Sequence, residues 1–200
     1  MLDRDEIVRS LTGAWELFLD RPDAMRYFDL SVEGFWRSFR AILLLLPAYI
    51  LSTLAERVMT LANTPVGSEQ TAGAFFLDSV VGLGLDWIAL PILLALAARP
   101  LGIQRTYAAF IVARNWASVI ALLPYGIIGL LVIIGVVDTG MANILMLVVL
   151  MLVLRYNFLV ARRAMDAGIG FAVGIVVLDL AVSLTIALSL DVVFAARDLP

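Results

Sequence analysis

The sequence predicts an all-α fold: a polytopic membrane helix bundle of about five transmembrane helices, with an amphipathic helix at its N-terminal end. Three observations predict it. Hydrophobic residues make up 62 % of the 200 residues and the mean hydropathy is +1.01, whereas soluble domains are roughly 45–50 % apolar. A chain this short cannot enclose that excess, because small domains leave much of their surface exposed. A lipid solvent removes the need. Second, the apolar residues fall into long runs separated by turn residues, each near the roughly 20 residues that a span requires. Third, the arginines gather at alternate ends of those runs, as loops on one side of a membrane do.

Residues 3–20 read as an amphipathic helix. Asp3 and Asp5 are plausible caps, since acids favour a helix N-terminus. Ile7, Leu11, Ala14, Trp15 and Phe18 recur at helical spacing, Arg4, Arg9, Glu16 and Asp20 take the other side, and Pro22 ends the element. Such a helix either packs on the spans or lies at the membrane surface with Trp15 and Phe18 dipping inward. The density of Arg and acids over this stretch argues against a cleavable signal peptide.

Ser31 can cap a second helix. Phe35 and Trp36, flanked by Arg37 and Arg40, suit an interfacial aromatic belt. The first apolar run, Ala41 to Ala55, follows, and Glu56 and Arg57 close it. Asn63, Pro65, Gly67 and Ser68 mark a loop over 60–70. The second span is expected from Ala72 to Ala98, ending at the turn Arg99-Pro100-Leu101-Gly102. The third runs from Tyr107 to Val137. Pro124, Gly126 and Gly129 interrupt it, yet splitting it would leave pieces too short to cross, so one kinked helix is expected. Asp138-Thr139-Gly140 turns the chain into a fourth span, Met141 to Ala161. A polar turn over 162–168 leads to the fifth, Gly170 to Leu190. The expected division is a cytoplasmic or interfacial segment over 1–34, the bundle over 35–192 and a short tail over 193–200.

Orientation follows from the arginines. With the N-terminal side in the cytoplasm, Arg4, Arg9, Arg21, Arg26, Arg37, Arg40, Arg99, Arg105, Arg162 and Arg163 lie inside and only Arg57 and Arg197 outside. That bias obeys the positive-inside rule and supports an odd number of spans. All fourteen basic residues are Arg. Lysine codons are A-rich, so an Ala-rich, Lys-free chain suggests a GC-rich, bacterial genome and hence the bacterial inner membrane.

Absent residue types narrow the chemistry. With no Cys and no His, disulfides, the usual zinc and haem ligands, and Cys- or His-based catalysis are excluded. No Lys means no Schiff base and no P-loop lysine. No nucleophile elbow, dinucleotide fingerprint or HExxH motif is present, so no catalytic residue, metal or cofactor is expected and the chain is read as non-enzymatic. A net charge of −3 gives no reason to expect nucleic acid. The expected partners are the lipid bilayer and other membrane proteins or a second copy.

Charges inside spans carry the remaining information, because each is costly in hydrocarbon and must be paired, solvated or functional. Asp78 and Asp86 lie in the second span, Arg114 in the third, Arg155 in the fourth and Asp179 in the fifth. At ~1.5 Å per residue, Arg155 and Asp179 sit roughly 9 and 13 Å from the same end of consecutive spans. Consecutive spans are usually neighbours, so Arg155–Asp179 is the expected pair and Arg114–Asp86 a looser one. Asp78, near the outer end, is expected to be solvated. Asn115 and Asn157, beside the two arginines, suit hydrogen-bonding between helices, and Gly82, Gly84, Gly126, Gly129, Gly170 and Gly174 offer close helix contacts. In Gly170-Phe171-Ala172-Val173-Gly174 the first reading is internal packing and the second dimerisation. Structural pairing of the charges outweighs a proton or ion path.

Three stretches resemble the bacterial branch of the Yip (Ypt-interacting protein) membrane family. Glu16-Leu17-Phe18-Leu19-Asp20-Arg21-Pro22 looks like that family's short helix ending at a proline. Asn115 to Ile134 looks like its long third span with a central proline, and Phe158 to Ile186 like its last hairpin. The resemblance implies a polar cytoplasmic N-terminal segment, five spans and a short far-side tail. The eukaryotic Asp-Leu-Tyr-Gly-Pro-type signature is absent, so it implies no GTPase partner and no functional residues. Two functions are therefore expected in order: a scaffold or accessory subunit acting through helix or lipid contacts, then a small transporter or channel using the intramembrane Asp and Arg residues.

Overall fold

The computed structural model describes residues 3–64 and 71–195, and every regular element in them is helical. The loop residues Pro65, Gly67 and Ser68, together with Arg197 and the rest of 196–200, lie outside the described residues. Helix α1 spans Arg4–Phe18, α2 Val32–Ser38, α3 Ile42–Asn63, α4 Ala72–Ala97, α5 Tyr107–Ile133, α6 Thr139–Ala164 and α7 Ile169–Ala195. A 3₁₀ turn at Phe39–Ala41 joins α2 to α3, so Val32–Asn63 forms the first of five stretches long and apolar enough to cross a bilayer. α4, α5, α6 and α7 provide the others.

Local chemistry sets several of the ends, although Asp3, at the start of α1, makes no side-chain cap hydrogen bond. The Ser31 hydroxyl accepts the Gly34 N–H at 3.0 Å, and an Asp138 carboxylate oxygen accepts the Met141 N–H at 2.9 Å, satisfying donors that a helix start leaves free. Asp20, after α1, is left-handed with φ of 58°, a conformation that short polar side chains tolerate and helix ends use. α5 runs unbroken through Pro124. α3, however, continues past Glu56 and Arg57 to Asn63 rather than stopping at Ala55. Charge does not break a helix, and Arg57 lies over the Phe75 ring, 5.2 Å from its centroid.

Packing does not follow chain order. α3 lies chiefly against α5, α5 also against α6, and α7 against both α6 and α4, while α4 touches α3 and α5 only lightly. Gly126 and Gly129 make the α3–α5 approach possible. A Cβ on Gly126 would fall 2.8 Å from the Ala48 Cα, and one on Gly129 2.6 Å from the Leu51 carbonyl oxygen. The other expected glycine contacts are absent or loose. Nothing lies within 4 Å of a Cβ built on Gly84, Gly170 or Gly174, and Gly82 meets only the Leu190 side chain. The Gly170–Gly174 pattern therefore faces away from the bundle, because the neighbouring Ala172 and Ile175 turn inward instead.

α1 is docked on α5 and α6. Its most buried residues are Glu6, Ser10, Gly13, Ala14 and Leu17, whereas Trp15 is half exposed. The buried face is thus rotated toward the small residues, since Gly13 lets Tyr27 and Phe28 approach closely. The Tyr156 hydroxyl donates to the Ala14 carbonyl, Arg155 donates to the Phe18 carbonyl at 3.2 Å, and Arg163 pairs with Asp20 at 2.7 Å. Two cations thus meet the negative end of the α1 dipole. Conversely, Val173, Val177, Leu180, Leu184 and Leu188 form an exposed stripe along α7. Apolar faces of this extent are what lipid-facing helices present, and the chain is a membrane protein.

Candidate functional site

Arg114 on α5 faces Asp179 on α7. Its Nη2 stands 3.0 Å from Oδ1, with side chains only 11 % and 18 % exposed. This replaces the expected Arg155–Asp179 pair. Arg155 projects from the lipid-facing side of α6 to the α1 carbonyl, while Arg114 comes from a helix two spans earlier. The reason is the angular position of each residue about its axis, which depth along the helix does not report. Asn157 also reaches Asp179, with a long Nδ2···Oδ2 distance of 3.5 Å.

Asp86 does not pair with Arg114 either. The Ser183 hydroxyl donates to its Oδ1, tying α4 to α7, and among the described residues no cation forms an ion pair with it. Tyr49 on α3 donates to the Ser79 carbonyl on α4 at 2.6 Å. The expected helix-joining role fits Asn115 best: fully buried, it donates to the Ser38 hydroxyl at 3.0 Å.

These side chains surround a cavity of about 280 Å³ at the centre of the five spans. Its walls include Tyr49 from α3, Asp86 and Trp87 from α4, Arg114, Ser118 and Tyr125 from α5, Asn157 from α6, and Asp179 and Ser183 from α7. A second cavity of about 400 Å³ continues between α3, α4 and α7 toward the end away from α1, past Glu56, Asp78 and Asp191. Tyr49, Leu83, Asp86 and Ser183 line both, so the two meet at Asp86. The acids are spread along this path; among the described residues none form a group able to hold a metal ion. Two polar atoms on the walls, an Asp78 oxygen and the Trp87 indole nitrogen, are buried without a hydrogen-bond partner among the described residues.

Two residues of the path were not anticipated. Glu56 read as the end of a span and Asp191 as lying just past the fifth span, whereas both face the outer cavity. The signal that could have found the path is spacing. Asp179, Ser183, Ala187 and Asp191 recur every fourth residue, as do Asp78, Gly82 and Asp86. Each set forms one stripe of a helix, and α4 and α7 turn these stripes toward each other.

At the α1 end lies a separate polar cluster. Arg37 donates to Glu6 at 3.0 Å and also pairs with Asp29, joining α1, the following turn and α2. The Ser31 backbone N–H, donating to Asp29 at 3.0 Å, and then the Ser31 hydroxyl and Arg37, hold the Asp29 carboxyl below its ordinary range.

Fold and site together define a polytopic α-helical membrane protein with a polar cavity at its centre. Comparison with protein-family models, curated proteins and solved structures finds no match to this chain.

Proposed function

We propose that this chain is a membrane transport protein that admits a small cation or proton from the side opposite α1 and receives it at Asp86. The observation that carries this reading is the continuous acid-lined path from Glu56, Asp78 and Asp191 to Asp86. Arg114, the cation at its base, is committed to Asp179 at 3.0 Å, so the path carries net negative charge. Low-dielectric walls focus such a field and concentrate cations. A carboxylate held near mid-membrane can also exchange protons, the usual role of intramembrane acids in transporters. No chemistry beyond binding and passage is invoked. Of the two functions expected from sequence, the cavity therefore favours the transporter or channel over the scaffold.

The proposal includes the bacterial inner membrane and a cytoplasmic α1, supported by the arginine bias. A reporter fused at Thr139 should then read outside and one at Gly102 inside. Resemblance to the Yip family bears on topology alone.

The functional test is flux into proteoliposomes, with a pH dye reading a proton gradient and a voltage-sensitive dye reading sodium, potassium and tetramethylammonium gradients. The wild type should pass at least one of them. Asp86→Asn should reduce that flux at least tenfold, and Asp166→Asn, at an exposed turn, should not. Absence of flux for every probe, or full flux in Asp86→Asn, would return the protein to the scaffold reading.

A further inference from the structure

Arg155 is an exposed cation within a bilayer-spanning helix. Arg162 and Arg163 mark the polar end of α6, and Arg155 lies seven residues, about 10 Å, deeper. Among the described residues it hydrogen-bonds a neutral acceptor, the Phe18 carbonyl at 3.2 Å. Among the described residues no carboxylate pairs with it: Asp179 is taken by Arg114 and Asp20 by Arg163. A guanidinium so placed leans toward the interface and recruits an anion.

Beside it runs a groove of about 410 Å³ between α5 and α6, walled almost wholly by apolar atoms. Trp15 and Phe18 of α1, stacked 5.3 Å apart, close its α1 end next to Arg155, and Leu123, Ile127 and Leu152 stand exposed along its mouth. From Ile120 to Ile128 it is eight residues, roughly 12 Å, long.

We propose that this groove and Arg155 form a binding site for one anionic phospholipid of the leaflet containing α1. The phosphate pairs with Arg155 and one acyl chain lies in the groove. Charge complementarity selects the anionic headgroup, and the apolar walls select the chain. The site involves none of the residues of the transport path except Ala121 and Val153, which lie in the wall between the two.

The test uses the full-length protein in mild detergent, titrated with dioleoyl phosphatidylglycerol or dioleoyl phosphatidylcholine and read by native mass spectrometry and thermal shift. The wild type should bind phosphatidylglycerol at least tenfold more tightly. Arg155→Gln should bring the ratio near one, Arg155→Lys should keep most of it, and Arg162→Gln, removing a cation at the headgroup level, should leave it intact. Leu123→Trp, filling the mouth of the groove, should weaken phosphatidylglycerol binding at least fivefold without unfolding the protein. Equal binding of the two lipids by wild type, or selectivity surviving Arg155→Gln, overturns the proposal. So does full competition by glycerol 1-phosphate, which would give the site to a soluble anion, or a lipid-free dimer dispersed by Leu123→Trp, which would give the groove to a second copy.

Discussion

Arg114→Met should destabilise the bundle by about 3 kcal/mol or more, and adding Asp179→Leu should recover much of that loss. The two groups are 3.0 Å apart. At an effective dielectric of ~20, Coulomb's law gives roughly 5 kcal/mol of attraction at that separation. Both side chains retain slight exposure toward the central cavity, which places the cost at the lower end of the ~3–5 kcal/mol typical of stranding one member of a buried pair. Removing both charges leaves no orphan, so the double variant should be nearer the wild type than either single variant. The assay is a double-mutant cycle on reversible unfolding by dodecyl sulfate in mixed micelles, with a coupling of about 2 kcal/mol expected. The same cycle on Arg155 and Asp179 should be additive within ~0.5 kcal/mol. Additivity for Arg114 and Asp179, or strong coupling for Arg155 and Asp179, would refute the reasoning.

Gly126→Ala should cost at least ~1–3 kcal/mol, the usual range for overpacking, because its Cβ would meet the Ala48 backbone at 2.8 Å. Gly84→Ala, which meets nothing within 4 Å, should be neutral or stabilising in the same titration. Tyr156→Phe removes the hydroxyl that donates to Ala14 and should cost ~1 kcal/mol, read as faster tryptic cleavage at Arg9 and Arg21 as α1 loosens. Stability should also fall at low pH through Asp29. Its carboxyl is held below the ordinary 3.8, so its contribution is complete above that value and is lost as pH drops through the lower folded value. Asp29→Asn should flatten the acid limb of a stability–pH curve, and an unchanged limb would remove Asp29 from the account.

The central cavity and the apolar groove beside Arg155 share a wall. Ala121 and Val153 line both, so the wall between a membrane-facing slot and the polar interior is one side chain thick. Effects of the groove variants on flux would therefore have a short physical route, from lipid to α5 and α6 to Arg114.

The sequence by itself determined the elements. Hydrophobicity summed over a run of about 20 residues is a local property, and the second span, expected over 72–98, is observed at Ala72–Ala97. The third was legible as one helix through Pro124, because its halves could not cross alone, and Ser31 and Asp138 announced helix starts by cap chemistry. Tertiary structure alone decided which residues meet. Each step along a helix turns the side chain by about 100°, and nothing local says which direction faces a neighbour. Arg114 and Arg155 lie at similar depth, yet one points into the bundle and the other out of it. Chain order misled because α7 returns to lie against α4, and α3 against α5. That return sets Asp86 beside Ser183 and Asp179 beside Arg114, and opens between them a polar path lined by all five spans.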